Sequence, residues 1–234
     1  MAVIITGGTG AIGSALTEAF AKDYDVAVIY KASDAKAAEL EKTYGCKCFK
    51  ADITSQPQAH QAVERIYEQF GKIDILINNA GISQIKLFTD ITETDWQDML
   101  NIHLTGMFNV TQAAVKHMLT RKQGSIVNVS SVWGVHGASC EVHYSTAKAG
   151  IIGFTKALSK ELAPSGITVN CAAPGVIDSP MNRKDLTPEE LAELEHEIPL
   201  GRQGTPQEIA QSIKFLAESR YITGQVLGID GGFY

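Results

Sequence analysis

The sequence predicts an α/β protein, built as a single doubly wound domain around a seven-stranded parallel sheet with helices on both faces. Apolar, β-branched runs that end in small or polar residues recur along the chain, and segments of helical period separate most of them. Near-continuous hydrophobicity is typical of strands covered on both faces, and this alternation of strands with helices indicates a parallel sheet. No linker, repeat or low-complexity tract interrupts the 234 residues, so we expect one domain over residues 1–234.

Six strong apolar runs predict strands, and a seventh run is weaker. The strong runs cover residues 3–6, 26–30, 73–78, 125–129, 167–170 and 226–229, and the weaker one covers 46–51. Long helices are expected over about 94–121 and 142–163. Capping boxes that start at Thr94, Thr187 and Thr205 predict helix starts, the last two with proline at the first helical position.

Composition argues against several classes of protein. Hydrophobic residues make up 44% of the chain, enough for a sizeable core, and the net charge of -6 argues against nucleic-acid binding. No apolar stretch is long enough to cross a membrane, and no basic segment precedes the first apolar run, so we expect neither a membrane span nor a secretory signal. The cysteines are too few and too irregularly spaced for a disulfide framework, and Cys46 with Cys48 fits a strand better than zinc. We therefore expect a reduced, cytoplasmic protein without a metal.

The first predicted strand runs into a glycine-rich turn that leads into a helix. The turn reads TGGTGAIGS over residues 6–14. Its glycines allow backbone N–H groups to approach a pyrophosphate at the positive end of the helix, whereas the simpler alternative is a tight turn that needs positive φ. Because the turn follows the first strand of a βαβ unit, we interpret it as a Rossmann-type phosphate site. The expected contacts are Gly7, Thr9, Gly10, Ile12 and Gly13.

The end of the second predicted strand indicates which dinucleotide fits. Folds that prefer NAD place an acidic residue there, about 20 residues beyond the glycines, to hold the ribose hydroxyls. Here Lys31 and Ser33 follow the strand, and no acid occurs until Asp34. A lysine and a hydroxyl suit a 2′-phosphate, which a carboxylate would repel. We therefore expect NADPH rather than NADH; the alternative is that Lys31 is an ordinary exposed lysine and Asp34 a helix N-terminal residue.

Residues 124–150 carry the strongest catalytic pattern. A buried strand ends before Ser131, and a following helix carries Tyr144 and Lys148 one turn apart on the same face. A phenol with a pKa near 10 is a poor acid at neutral pH, and a neighbouring ammonium lowers that value. With the Ser131 hydroxyl beside the phenol, this arrangement would polarise a carbonyl group. The alternative is a surface helix whose tyrosine and lysine have no chemical role.

Together with the polar residues after the third and fourth strands, these motifs resemble the short-chain dehydrogenase/reductase family over essentially the whole chain. The matching motifs are TGxxxxxG at 6–13, Asp52, NNAG at 78–81, Ser131, Tyr144 with Lys148, and Pro174 with Gly175. The thirteen-residue step from Ser131 to Tyr144 also matches. The resemblance is greatest to the 3-oxoacyl-[acyl-carrier-protein] reductase branch, and phrases such as IPLGR and ITGQVLGIDGG carry it.

The resemblance implies an NADPH-dependent reduction of a 3-oxoacyl thioester, carried by an acyl carrier protein or by CoA, to the 3-hydroxyacyl thioester. By the same resemblance, Tyr144 donates the proton, Lys148 lowers the pKa of the tyrosine and holds the nicotinamide ribose, and Ser131 orients the carbonyl. The implied cofactor contacts are Asp52 and Ile53 for the adenine, Asn79, Ala80 and Gly81 for the ribose side, and Pro174, Gly175 and Ile177 for the nicotinamide. The resemblance further implies a homotetramer.

Two residues depart from the family pattern. Ala11 stands where the turn normally has its penultimate glycine, and we expect Gly10 to supply the backbone freedom. His103 stands where the family carries an asparagine that completes a water-linked proton relay to the lysine. Histidine donates and accepts hydrogen bonds, so His103 is expected to hold the relay water or to shuttle the proton; the alternative is a helix-packing role. Asn101 lies on another side of that helix, and His143 is expected at the surface or an interface.

Residues 180–200 are expected to form an amphipathic flap over the substrate, with a surface helix packed on the domain as the alternative. Met181 and Leu186 belong to its apolar stripe. The basic pairs Arg121–Lys122 and Arg183–Lys184 are candidates for docking an acidic carrier protein.

Two other functions stay open at this point. A dehydrogenase of a sugar, a polyol or a small secondary alcohol would use the same residues in the oxidative direction. A nucleotide-binding redox sensor would need no proton donor, and the joint presence of Ser131, Tyr144 and Lys148 argues against it.

Overall fold

The structure is a computed structural model that describes residues 1–180 and 187–233. Within those residues it contains one seven-stranded, wholly parallel sheet in the order β3-β2-β1-β4-β5-β6-β7, which confirms the predicted fold class. The strands are β1 Ala2–Thr6, β2 Asp25–Tyr30, β3 Lys47–Lys50, β4 Ile75–Asn78, β5 Gly124–Val129, β6 Ile167–Pro174 and β7 Val226–Ile229.

Helices connect the strands and cover both faces of the sheet. Over the same described ranges, the α-helices are α1 Ala11–Ala21, α2 Asp34–Tyr44, α3 Gln56–Phe70, α4 Glu93–Leu100, α5 Met107–Arg121, α6 Val132–His136, α7 Val142–Leu162, α8 Pro188–Glu197 and α9 Pro206–Glu218. Short 3₁₀ turns cover Phe88–Asp90 and Ala163–Ser165. No helix in the described part of the chain is both long and apolar enough to span a bilayer.

Alternation along β1 explains why its sequence is apolar from Ala2 to Ile5. All five of its residues are buried. Val3 and Ile5 belong to the core cluster on the face covered by α1 and α9, whereas Ile4 belongs to the cluster on the face covered by α3 and α5. Successive side chains of a strand point to opposite faces, so a sheet with two covered faces requires apolar residues at every position.

The helix starts agree with the predicted capping boxes at two of the three positions. Thr187 and Thr205 each cap their helix reciprocally with a glutamate three residues later. The predicted box at Thr94 is wrong. Thr92 caps α4, because the carboxylate of Asp95 lies three residues beyond it and accepts from its N–H at 2.9 Å.

The predicted continuous helix over 94–121 is interrupted. A π-helical segment, Asn101–Gly106, separates α4 from α5. Single π-turns inside helices often occur at functional sites, and His103 lies in this one. The carboxamide oxygen of Asn101 accepts from the Thr105 hydroxyl at 3.4 Å on the exposed side, which confirms that Asn101 does not face the same way as His103.

The expected flap is described only in part. Its residues 181–186, which include Met181, Leu186 and the Arg183–Lys184 pair, lie outside the described residues. In the described part, α8 buries none of its own residues, and the Ile198 side chain that follows it is buried. Whether this segment covers a substrate stays a prediction.

Candidate active site

The sequence-predicted site residues gather at the carboxyl ends of the strands. Chain order along the sheet reverses between β1 and β4, so a crevice opens where β1 and β4 end. The glycine turn follows β1, Lys31 follows β2, Asp52 follows β3, the 79–81 segment follows β4, and Ser131 follows β5. Ligands of open α/β sheets bind at such a switch point.

The glycine turn is packed directly against the segment after β4. The Thr6 hydroxyl oxygen accepts from the N–H groups of Asn79 at 3.0 Å and Ala80 at 3.1 Å. Gly7 has φ +65°, and a Cβ there would lie 2.7 Å from the Ala80 Cα. A Cβ on Gly13 would overlap the Gly7 carbonyl oxygen. Both glycines are therefore required for this close approach of backbone to backbone.

The turn fits the pyrophosphate of a dinucleotide. The first N–H groups of α1 have no intrahelical acceptor, and the first turn of that helix contains no acidic residue that would repel an anion. Gly10 has φ -76°, an ordinary value, so the expectation that Gly10 supplies the backbone freedom is wrong. Gly7 supplies it, and Ala11 simply begins the helix.

The charged residues at the predicted adenine side form two separate ion pairs. The Lys31 ammonium lies 2.7 Å from the Asp52 carboxylate, and its side chain is 68% exposed. The Asp34 carboxylate instead accepts from Lys50 at 2.7 Å and from the Tyr30 hydroxyl at 3.0 Å, and these bonds lower its pKa. Asp34 is thus occupied away from the position where an NAD-selective acid would act, while Lys31 is accessible to a phosphate.

Ser131, Tyr144 and Lys148 come together beyond the end of β5. Ser131 caps α6, its hydroxyl oxygen accepting from the Trp133 N–H at 3.2 Å, and the same hydroxyl is hydrogen-bonded to the Tyr144 phenol. The Lys148 ammonium is buried, donates to the Val129 carbonyl at 3.0 Å, and lies 5.5 Å from the centre of the Tyr144 ring. Two hydroxyls and an ammonium therefore converge on one place.

Comparison with known proteins identifies the family. A family model described as enoyl-(acyl carrier protein) reductase matches residues 8–234. The chain belongs to the short-chain dehydrogenase/reductase family. It is similar to the 3-oxoacyl-[acyl-carrier-protein] reductase FabG of Thermotoga maritima, with 44% identity covering 98% of this chain and 96% of that protein. An acetoacetyl-CoA reductase from Rhizobium meliloti is 39% identical, with 99% and 97% covered.

Structural similarity agrees with this assignment. The solved structure of ElxO with NADP bound superposes with a TM-score of 0.92 at 34% identity and covers 99% of this chain and 98% of that one. The chain is an oxidoreductase of the short-chain dehydrogenase/reductase family, resembling the 3-oxoacyl-[acyl-carrier-protein] reductases, and we refer to it below as the oxidoreductase.

Burial controls the acidity of the central groups of the oxidoreductase. It raises the pKa of Tyr144, and the hydrogen bond from Ser131 opposes that shift only in part. The pKa of Tyr144 is therefore raised overall, and a lowering effect of Lys148 on it stays a prediction. A raised pKa keeps the phenol protonated at neutral pH, which suits a proton donor. Burial also lowers the pKa of Lys148 to about 8, so the ammonium form still predominates at pH 7.

His103 lies against this group as a neutral side chain. Burial and the charge of Lys148 lower its pKa to about 3. Its Nε2 donates to the Ile82 carbonyl at 2.8 Å, its ring meets Tyr144 edge-on with centres 5.6 Å apart, and its buried Nδ1 has no hydrogen-bond partner among the described residues. A group this hard to protonate is a poor proton shuttle, but its bare Nδ1 is a hydrogen-bond acceptor.

The last of the predicted cofactor contacts lie after β6. Pro174 ends that strand, the Gly175 N–H donates to the Ile229 carbonyl at 3.0 Å, and Ile177 is buried and forms an isolated bridge with Gly204. A Cβ on Gly175 would lie 2.8 Å from Asp230. The segment is thus anchored to the end of the neighbouring β7.

Sequence reasoning missed a buried polar chain under the site. The Asn78 amide donates to Asn128 at 2.8 Å and to Thr111 at 2.9 Å, and the Asn128 amide donates to Thr155 at 2.9 Å. The missed signal was an asparagine in each of two otherwise apolar strands. These two residues are paired in register, so they lie side by side beneath the crevice.

The basic pair Arg121–Lys122 is misplaced for docking a carrier at this site. Arg121 is the last residue of α5 and Lys122 lies between that helix and β5, at the amino ends of the strands. Arg121 there donates to the buried Asp74 carboxylate at 2.7 Å. The pair is therefore on the edge of the sheet opposite to the crevice.

Proposed function

We propose that the oxidoreductase reduces a 3-oxoacyl thioester to the 3-hydroxyacyl thioester with NADPH. The observation that carries the proposal is the convergence of the Ser131 hydroxyl, the Tyr144 phenol and the Lys148 ammonium at the switch-point crevice. Reductases of 3-oxoacyl-[acyl-carrier-protein] and of acetoacetyl-CoA among its relatives support this substrate class. The carrier is an acyl carrier protein or CoA, and fatty acid biosynthesis is the corresponding pathway class.

The residues of the chain do the positioning and the proton transfer. When bound, the reduced nicotinamide supplies the hydride that the carbonyl carbon receives. Ser131 donates a hydrogen bond to the carbonyl oxygen and holds it beside Tyr144. The Tyr144 phenol gives its proton to that oxygen as the negative charge develops, and the adjacent Lys148 ammonium stabilises the phenolate that remains.

The cofactor contacts follow the geometry of the crevice. The turn residues Gly7, Thr9, Gly10, Ile12 and Gly13 would hold the pyrophosphate, and Lys31 with Ser33 the 2′-phosphate. Asp52 and Ile53 would meet the adenine, Asn79, Ala80 and Gly81 the ribose side, Lys148 the nicotinamide ribose, and Pro174, Gly175 and Ile177 the nicotinamide. The NADP-bound ElxO structure supports the choice of dinucleotide.

The direct test is NADPH oxidation by the purified protein with acetoacetyl-CoA. Crotonyl-CoA, an enoyl thioester, is the matched control, because the matching family model carries an enoyl reductase description. Turnover of acetoacetyl-CoA and not of crotonyl-CoA is the expected result. Turnover of crotonyl-CoA alone would contradict the proposal, and oxidation of sugars or secondary alcohols without thioester reduction would favour the dehydrogenase alternative.

Lys31 is expected to determine cofactor choice. Lys31→Met should raise the KM for NADPH about tenfold, the loss of one charge-assisted hydrogen bond, and leave the KM for NADH unchanged. Lys36→Met, which removes an exposed lysine paired with Glu39 on α2, is the matched control and should change neither value. Equal increases for both cofactors in the Lys31 variant would contradict the phosphate contact.

His103 is proposed to accept a hydrogen bond within the proton relay to Lys148. His103→Asn, which keeps a polar donor and acceptor, should hold kcat within about threefold. His103→Leu should lower kcat about tenfold, the equivalent of one hydrogen bond, while the Kd for NADPH stays unchanged. Steady-state kinetics with fluorescence titration of NADPH distinguishes the two variants, and an equal kcat in both would indicate that the residue only packs.

The assembly and location of the oxidoreductase stay predictions. Size-exclusion chromatography with light scattering measures whether the chain is a homotetramer. A cytoplasmic location is likewise the expectation for an enzyme of this substrate class.

A further inference from the structure

His143, the residue immediately before Tyr144, is buried, contrary to the expectation that it lies at the surface or an interface. It is 0% exposed, and its Nε2 lies 2.8 Å from the Gln84 side-chain oxygen. Burial lowers its pKa, so the ring is neutral and carries a single N–H. Its Nδ1 has no hydrogen-bond partner in the described part of the chain. The one ring proton is therefore on Nε2 and is donated to Gln84.

The Gln84 carboxamide links His143 to α4 through two hydrogen bonds. Its oxygen accepts from His143, and its NH₂ donates to the Asp95 carboxylate at 2.8 Å. Asp95 is itself held by Lys86 at 2.6 Å and by the Thr92 N–H at 2.9 Å. Rotating the amide would place its oxygen against a carboxylate and its NH₂ against the ring N–H. The polarity of this hydrogen-bond chain is therefore fixed, and it connects α7, the loop after β4 and the start of α4.

Tyr144 is the third residue of α7, so its position depends on how the first turn of that helix is held. Glu141, at the N-cap position, makes no side-chain capping bond, and Cys140 before it has φ +60°. Other bonds hold the segment around this helix start, since the Lys86 N–H donates to the Cys140 carbonyl at 2.7 Å and the Ala138 N–H donates to the Ser145 hydroxyl oxygen at 3.1 Å. The position of the Tyr144 backbone therefore depends on contacts made by its neighbours in the first turn.

Gln84 borders open space, so the hydrogen bond with His143 restrains its carboxamide more than packing does. A pocket of about 410 Å³ is lined by Gln84, Asp95 and Asp98 together with Ile82, Ser83, Ile85 and Met99. A carboxamide that borders such a volume is free to turn into it once the bond to His143 is lost. The loop after β4 and α4 are therefore incompletely packed against each other at this point.

We propose that His143, acting through Gln84 and Asp95, is a positioning residue that holds the first turn of α7 so that the Tyr144 phenol stays against Ser131. This inference rests on the proposed function, because it assigns His143 a part in the proton donation by Tyr144. Loss of the His143 bond would let the turn shift and weaken the Tyr144–Ser131 contact. The substrate and cofactor contacts would remain, so the effect is on kcat rather than on KM.

The test compares matched variants with acetoacetyl-CoA and NADPH. His143→Phe keeps the bulk without the N–H and should lower kcat about tenfold, with both KM values within about twofold. His143→Gln, which can still donate to Gln84, should restore most of kcat. Gln84→Met should match His143→Phe, and the double variant should lose no more than either single one, since both break the same chain. Thr146→Val removes an exposed hydroxyl bonded to Val142 at 2.7 Å in the same turn and should leave kcat unchanged.

A second measurement needs no substrate. Tyrosine labelled with ¹³C at Cζ reports the hydrogen bonding of the Tyr144 phenol by NMR at neutral pH, with the Tyr144→Phe spectrum as the assignment control. Loss of the Ser131 hydrogen bond should shift the Tyr144 Cζ resonance in both His143→Phe and Gln84→Met, and Thr146→Val should leave it unchanged. If Gln84→Met keeps kcat within about twofold, or the Tyr144 Cζ resonance does not move in that variant, the positioning role is wrong. A wild-type protein that turns over no thioester would instead contradict the proposed function, and the NMR spectra would still decide the positioning role.

Discussion

Replacement of Tyr144 by Phe is expected to abolish ketone reduction, lowering kcat by about 10³-fold or more, the usual contribution of a positioned proton donor. The substitution removes one oxygen and keeps the ring, so the edge contact with His103 and the path of α7 are preserved. NADPH affinity should stay within about twofold, because the glycine turn and Lys31 are untouched. Stopped-flow measurement of NADPH oxidation, with a fluorescence titration of NADPH, tests both statements.

The matched control for this variant is Tyr221→Phe. Tyr221 is fully exposed, so its hydroxyl should contribute nothing to turnover. A Tyr144→Phe variant with kcat within tenfold of wild type would contradict the role of the phenol as the proton donor. Retained NADPH binding with lost turnover would separate this role from a structural one, whereas loss of both would indicate damage to the fold.

The strand pattern predicted the sheet because burial on both faces leaves a strong signal in each strand. Residues 3–5 are apolar throughout and residues 125–129 are apolar except for Ser125 and Asn128, and the structure buries both strands in the interior of the sheet. The π-helical segment left no such signal, since Asn101–Gly106 has the same amphipathic pattern as the helices on either side. The added residue depends on how His103 packs over Gly81, which is a tertiary contact.

Part of the site was predictable from the sequence, because strand ends are local features. Ser131 and the 79–81 segment follow directly from where β5 and β4 stop. The burial of His143 was not predictable, because its angular position on α7 says nothing about which loop lies against it. The direction of the Tyr144 pKa shift failed for a related reason. Spacing placed the lysine near the phenol, but only the fold determines how deeply the phenol is buried.

Lys148→Met is expected to lower kcat about 10²- to 10³-fold, because the phenolate left by proton transfer would face a buried, uncharged neighbour. The methionine has a similar length and fits where the lysine stem now packs. Arginine is not a conservative choice here. The buried ammonium donates to the Val129 carbonyl at 3.0 Å, whereas a guanidinium would bring five N–H donors into the same buried place.

The pH dependence of the wild-type enzyme gives this prediction a second, independent readout. Titratable neighbours of Lys148 are Tyr144, whose pKa is raised, Cys171, with a pKa of about 11, and His103, with a pKa of about 3. In this group only Lys148, with its pKa lowered to about 8, titrates near neutral pH. The protonated form is the active one, so kcat/KM, which reports the groups of the free enzyme, should be constant below pH 7 and fall through a midpoint near 8. The residual activity of Lys148→Met should not show this fall near pH 8. If the variant still loses activity with a midpoint near pH 8, the fall belongs to another group and the electrostatic role of the lysine is contradicted.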